Sequence, residues 1–155
     1  MFSLLLCGLM YYFYSTSETR RVAAEDAQKL WPLVESALRQ KRIAPDQAVP
    51  VSERAWKAPG SRMFIEPNRP VTVQELLHGM IVQSGNDACI ALAELIAGSE
   101  EAFVAAMNRE AQRLGLKNTK FMNATGLPDP QHYSTASDLA RLTQAIIRDF
   151  PEFYP

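Results

Sequence analysis

Thr72-Val73-Gln74-Glu75-Leu76-Leu77-His78-Gly79-Met80-Ile81-Val82-Gln83-Ser84-Gly85-Asn86-Asp87-Ala88 decides how this chain folds. It opens on a Thr-x-x-Glu capping box, in which the threonine hydroxyl and the glutamate carboxylate each take a backbone N–H of the first helical turn. Leu76, Leu77, Met80 and Ile81 then recur at helical spacing and form one apolar face. The pattern breaks at Ser84-Gly85-Asn86 and restarts at once. Asn86 or Asp87 is placed to cap a second helix, running through Ala88, Leu92 and Leu95 to Gly98. Two helices therefore abut at a Ser-Gly-Asn corner, where Gly85 lets the chain turn tightly. A hydroxyl and an amide two residues apart on a rigid corner can face one cleft. Taken alone, the triplet is more simply the ordinary material of corners and caps.

Downstream, Ser99-Glu100-Glu101 starts another helix, with Phe103, Met107 and Leu114 on its face and Gly115 as its stop. Glu100-Glu101 reads as a solvated first turn. Residues 116–133, with Asn118, Asn123, Gly126, Pro128 and Pro130, read as a long loop holding one short strand. His132 is a loop residue. Ser134 or Thr135 then caps a last helix carrying Leu139, Leu142 and Ile146, broken by Pro151. Upstream, Pro45, Pro50, Pro59-Gly60, Pro67-Asn68 and Pro70 punctuate residues 44–71. The runs between them, Ala48–Val51 and Ser61–Ile65, suit a small β-ribbon or extended loops. Leu30, Val34, Ala37 and Leu38 mark a further helix beginning near Pro32. The expected fold is mostly α with minor β.

The 155 residues are 47% hydrophobic and 21% charged with a net charge of −1, which describes a globular domain rather than a disordered tail. Charges of both signs are interspersed, so no basic stripe offers itself to nucleic acid. Cys7 and Cys89 form no disulfide framework or zinc spacing, and Cys89 reads as a buried small hydrophobe. His78 has no second ligand at metal spacing, and Trp31 and Trp56 read as core or interface aromatics. No metal and no cofactor is expected. Met1 to Tyr14 is nearly all apolar, yet shorter than the roughly 20 residues of a membrane span. It lacks a basic leader and a clear cleavage site. Membrane-proximal, exported and buried readings of it stay open.

Order and context add a resemblance. Pro59-Gly60-Ser61, Val73 to Met80, Gln83-Ser84-Gly85-Asn86-Asp87-Ala88, Met107-Asn108, Leu114-Gly115-Leu116-Lys117-Asn118-Thr119, Gly126-Leu127, Tyr133-Ser134-Thr135-Ala136 and Asp138-Leu139-Ala140 follow one another in this chain. In that series the chain resembles the serine-type D-alanyl-D-alanine carboxypeptidases among the low-molecular-mass penicillin-binding proteins, over roughly residues 33–155. The resemblance implies the helical subdomain of the β-lactamase/transpeptidase-like α/β fold, with the sheet subdomain largely missing. It divides the chain into an unassigned segment, 1–29, and a partial carboxypeptidase domain, 30–155. It implies removal of the terminal D-alanine from peptidoglycan pentapeptides through an acyl-enzyme, with Ser-x-x-Lys, Ser-x-Asn and Lys-Thr-Gly as the working elements. By likeness Ser84 is the catalytic relay hydroxyl and Asn86 the amide that orients lysine and binds substrate. The implied partners are the peptidoglycan stem peptide and β-lactams, and the implied location is the periplasm or cell envelope, with membrane association left open.

The chain also departs from that pattern. No serine is followed three residues later by lysine. The nearest are Ser17-Glu18-Thr19-Arg20 and Ser36-Ala37-Leu38-Arg39, and arginine stays protonated and cannot act as the base. Counted back without gaps, nucleophile and lysine fall near Ala24 and Ala27. Lys-Thr-Gly is absent as well. The chain alone is therefore expected to be a partial copy without activity, the alternative being a non-catalytic cell-wall-binding fragment or pseudoenzyme. A class A β-lactamase is disfavoured, because glycine stands inside Ser-x-Asn and no Glu-x-x-Leu-Asn is present.

Overall fold

The computed structural model describes residues 32–151. Residues 32–39 are helical (α1), followed by β1 (Ala48–Val49), α2 (Glu53–Trp56), β2 (Val71–Thr72), α3 (Val73–Gln83), α4 (Asn86–Ala97), α5 (Glu100–Arg113) and α6 (Ala136–Asp149). The two strands pair antiparallel, Ala48 opposite Thr72 and Val49 opposite Val71. The only other bridge among the described residues joins Lys120 to Tyr133. The domain is mostly helical with minor β, as the periodicity predicts.

Helix α4 is the axis of the packing. Residues 86–93 are buried without interruption, and α2, α3 and α5 pack around them. A helix apolar all round belongs in an interior. Phe103 from α5, Leu76 from α3 and Leu92 from α4 are the largest apolar side chains excluded from water, each contributing about 1.5–3 kcal/mol of burial. Cys89 is buried among them, as expected. On α5 Phe103 and Met107 are buried, and on α6 Leu142 is.

Most helix ends obey their local sequence. Thr72 and Glu75 form the complete capping box. Ser99 caps α5, and Thr135, not Ser134, caps α6. Two readings need correction. Neither Asn86 nor Asp87 caps α4: the cap is Gly85, which has no side chain to offer, because both neighbouring side chains are turned to other partners. Glu100 is not solvated but 6% exposed, since its carboxylate is drawn to Arg54 and to the Ala124 N–H. Of the core and interface alternatives for Trp56, its 41% exposure at the end of the four-residue α2 removes the first and leaves the second open. For Ser61–Ile65 the loop alternative holds: the run pairs with no strand, Phe64 turns to φ 64, and the N–H groups of residues 63–65 go to the Asp87 carboxylate. The expectations for Cys7, Ala24, Ala27, Leu30 and Trp31 lie outside the described residues.

Candidate functional site

The corner is built from backbone first. Ser84 ends α3 in the left-handed conformation (φ 54, ψ 42), a position usually given to glycine or asparagine. The Ser84 and Gly85 N–H groups both donate to the Gly79 carbonyl, which closes the helix end. Gly85 is closely approached: a Cβ there would lie 3.0 Å from the Asp87 carboxylate and 3.1 Å from the Met63 nitrogen, so its neighbours would have to give by a few tenths of an ångström. Gly79 is more tightly constrained, since its Cβ would sit 2.2 Å from the Met63 sulfur.

The stretch 59–65, which turns through positive φ at Gly60 and Phe64, forms the second wall. Asn86 donates its backbone N–H to the Ser61 carbonyl (2.8 Å) and its Nδ2 to the Pro59 carbonyl (2.7 Å). The first bond satisfies a helix N-terminal donor that the missing cap leaves open. Asp87, fully buried, accepts the N–H of Met63 (3.0 Å), Phe64 (2.8 Å), Ile65 (3.2 Å) and, within its own helix, Ala88 (2.9 Å). A carboxylate in the first turn of a helix also sits at the favourable end of the helix dipole.

The structure thus brings Ser84 and Asn86 to one rigid corner, Ser84 half-buried and Asn86 7% exposed. Among the described residues, neither the Ser84 hydroxyl nor the Asn86 Oδ1 enters a hydrogen bond, so one donor–acceptor and one acceptor remain for a ligand or for other protein groups. Ser84 has no base within hydrogen-bonding reach among these residues, so the corner by itself can relay or orient but has no activated nucleophile. His78 lies exposed on α3, and His132 stacks edge-on against Phe121 with ring centroids 5.8 Å apart. No group of three His, Cys, Asp or Glu side chains among the described residues is arranged to hold a metal.

Beside the corner opens a cleft of about 500 Å³, whose lining includes Arg54, Lys57, Pro59, Ile90, Glu100 and Leu127. Pro59 belongs to both features, because its carbonyl holds the Asn86 amide. The far wall is the loop 116–133, fixed by buried or half-buried polar side chains. Asn108 clasps Phe121 by both backbone groups (2.8 and 2.9 Å), and Asp138 accepts from Asn118 N–H (2.8 Å) and Thr119 Oγ1 (2.9 Å). Sequence reasoning missed Asp87 and Glu100 as organisers of this region. A carboxylate held by backbone donors leaves no short-range signature, and only the position of Asp87 directly after Ser-Gly-Asn pointed to it.

Comparison with known proteins places this architecture. Residues 29–155 match the sequence model of Peptidase S11, the D-alanyl-D-alanine carboxypeptidases. The chain is 42% identical over 137 residues to D-alanyl-D-alanine carboxypeptidase DacF of Bacillus subtilis, covering 87% of this chain and 35% of that protein. It is 45% identical over 128 residues to DacC of Escherichia coli, covering 79% of this chain and 32% of that one. It superposes on the crystal structure of the carboxypeptidase DacD from Francisella tularensis with a TM-score of 0.77 at 39% identity, over 84% of this chain and 31% of that one. Penicillin-binding protein 6B from Escherichia coli gives 0.77 at 43% identity, over 84% and 43%. The chain spans about a third of the length of the curated relatives it matches.

Proposed function

This chain belongs to the D-alanyl-D-alanine carboxypeptidase family, and from that premise we propose that its Ser84–Asn86 corner serves acyl transfer on peptidoglycan stem peptides, with Ser84 catalytic and Asn86 binding substrate. The carrying observation is the αL corner, whose backbone is closed on the Gly79 and Ser61 carbonyls and whose Asn86 Nδ2 is held by the Pro59 carbonyl, leaving the Ser84 hydroxyl and the Asn86 Oδ1 uncommitted among the described residues. In this reading a serine nucleophile, activated by a lysine one helical turn away, attacks the carbonyl of the terminal D-Ala-D-Ala bond. The tetrahedral adduct collapses to a serine ester and D-alanine leaves. The Ser84 hydroxyl passes a proton toward the departing amine, and the Asn86 carbonyl oxygen holds the lysine ammonium and the substrate amide N–H. Water then hydrolyses the ester. β-Lactams would enter as analogues that acylate the same nucleophile. The working location would be the cell envelope, on its periplasmic or outer side; no described helix is long and apolar enough to cross a membrane.

The 155 residues contain neither Ser-x-x-Lys nor Lys-Thr-Gly, so they supply the relay corner and not the nucleophile. We assign residues 30–155 to the partial carboxypeptidase domain and leave 1–29 outside it. Incubation of the purified chain with a labelled penicillin, read by intact mass, is expected to give no adduct. A stoichiometric adduct would refute this, and peptide mapping would name the nucleophile. The corner itself is tested by grafting residues 32–151 into the matching part of the Escherichia coli relative. Acylation should survive the graft and then fall by about 10²-fold or more on Ser84→Ala or Asn86→Ala. A graft that acylates equally well with both changes would remove the assignment. The missing Ser-x-x-Lys favours a second reading, a non-catalytic cell-wall-binding chain, which would bind muropeptides and never form an adduct.

A further inference from the structure

We infer that the Pro59-Gly60 turn, held in place by Asp87, fixes which end of the Asn86 amide faces the site. Gly60 and Asp87 are thus positioning residues, a role that rests on the functional reading above. Asparagine carries a donor and an acceptor on one planar group, and the two exchange places when the amide turns over. Which end faces a ligand is therefore set by what the other end meets. Here Nδ2 meets the Pro59 carbonyl at 2.7 Å. Turned over, the amide would set Oδ1 against that carbonyl, oxygen to oxygen, on a residue only 7% exposed. The bond to Pro59 keeps the nitrogen on the side of residues 59–60 and leaves Oδ1 on the other branch of the amide.

Gly60 makes that contact possible. It adopts φ 80, and a Cβ there would lie 2.7 Å from Asn86 Nδ2 and 3.7 Å from Leu127 Cδ2. The nearest atom is the end of a side chain, so a methyl group at residue 60 would displace the Asn86 amide before it displaced any backbone. A turn through positive φ already favours glycine. This one also keeps clear the space that the Asn86 amide occupies, which the turn alone does not require.

Asp87 supplies the anchorage. The N–H groups of Met63, Phe64 and Ile65 converge on its carboxylate at 3.0, 2.8 and 3.2 Å. Successive N–H groups curl round one anion when a residue among them enters the left-handed region, and Phe64 does so at φ 64. A bulky residue rarely takes that conformation, and it persists only where the surroundings over-determine the backbone. The strain at Phe64 follows from closing the chain on Asp87. At the other end of the stretch Ala58 is buried, and its N–H donates to the Ala55 carbonyl at 3.1 Å. Residues 59 and 60 are held between these fixed points, with the Ser61 carbonyl on the Asn86 N–H at 2.8 Å. Asp87 directly follows Asn86 in α4, so the first helical turn carries both the amide and the carboxylate that fixes the amide's partner.

The test is nuclear magnetic resonance on the isotopically labelled 155-residue chain, read as the scalar coupling across the hydrogen bond from Asn86 Nδ2 to the Pro59 carbonyl carbon. Wild type is expected to show the coupling, and Gly60→Ala to lose it. Gly98→Ala is expected to keep it: residue 98 has φ 84, so alanine meets the same backbone strain there, but nothing lies within 4 Å of its Cβ. Asp87→Asn is expected to lose the coupling as well, and should that variant not fold, Gly60→Ala decides alone. No coupling in wild type, a coupling retained in Gly60→Ala, or one lost equally in Gly98→Ala overturns the proposal. A folded Asp87→Asn that keeps the coupling overturns the part given to Asp87. In the graft of residues 32–151 into the Escherichia coli relative, Gly60→Ala should slow penicillin acylation by about tenfold or more and Gly98→Ala by less than about twofold. Equal losses, or no loss with Gly60→Ala, overturn the positioning role. A graft that fails to acylate with its corner unaltered overturns the functional reading instead, and the coupling still decides the orientation of the amide.

Discussion

Asp87 is a fully buried carboxylate that, among the described residues, meets no cation; backbone N–H groups of residues 63, 64, 65 and 88 hold it. Hydrogen bonds to an ionised acceptor contribute about 1.5–3 kcal/mol, and orphaned buried donors are costly in their own right. Asp87→Asn keeps the shape but turns an NH₂ toward N–H donors, so it should lower the unfolding free energy by about 2–4 kcal/mol in a urea titration. Asp46→Asn, at an exposed position, should change it by less than about 0.5 kcal/mol. Equal effects would mean that the clamp contributes nothing. The sequence could show Asp87 only as a candidate cap, because its partners lie 22 to 24 residues away. The corner at Ser84-Gly85-Asn86 was legible from a helical face that breaks there, whereas the roles given to Ser84 and Asn86 came only from the resemblance, because the triplet alone is ordinary corner material. What Asn86 does with its Nδ2 was not legible, since nothing near residue 86 announces the Pro59 carbonyl.

Among the elements, α3 shows why some helices could be read and others not. Its start is coded within four residues, and Thr72→Ala should cost about 1 kcal/mol by removing the hydroxyl that accepts the Glu75 N–H. The Glu75 carboxyl is held below its ordinary 4.5, first by the Thr72 N–H and then by the Thr72 hydroxyl. A carboxylate whose folded pKa is depressed stabilises the fold above its unfolded pKa and loses that contribution as pH falls through the folded value. The stability difference between wild type and Glu75→Gln should therefore be full at neutral pH and shrink as pH falls through the depressed folded pKa. A difference that widens in acid would contradict the capping geometry. The far end of α3 depends on packing rather than code. Gly79→Ala would drive a methyl into Met63, and even after that side chain moves, its Cβ at 2.9 Å remains in the way. A loss of about 1–3 kcal/mol is expected. By contrast α2, a single turn of four residues between Pro50 and Pro59, has no room to show a helical period.

For the molecule as a whole, one carboxylate joins parts that the sequence keeps far apart. Glu100 on α5 takes Arg54 of α2 by two nitrogens (2.6 and 3.1 Å) through Oε2 and the Ala124 N–H (3.0 Å) through Oε1. Arg54, Glu100, Asn123 and Thr125 all line the 500 Å³ cleft, so this latch is also its wall. A layered helical core was legible from periodicity because each helix carries its own face, whereas a tie between residues 54, 100 and 124 is visible only after the chain has folded. The two ends of the latch should fail differently. Glu100→Ala frees a half-exposed Arg54, which water and Glu101 can still satisfy, but orphans the N–H of a residue that is 1% exposed. That predicts a loss of about 1–3 kcal/mol and faster hydrogen exchange at the Ala124 amide. Arg54→Ala leaves a carboxylate 6% exposed without its cation and should cost more, about 2–4 kcal/mol, moderated because the guanidinium is half in water. It keeps the Ala124 N–H paired, so exchange there should accelerate only as far as global stability falls. If Ala124 exchanges equally fast in both variants relative to their global stabilities, the loop is not held by Glu100. The cleft wall would then depend on the loop's other ties, among them the hydrogen bonds of Asn108 and Asp138 and the Lys120–Tyr133 bridge.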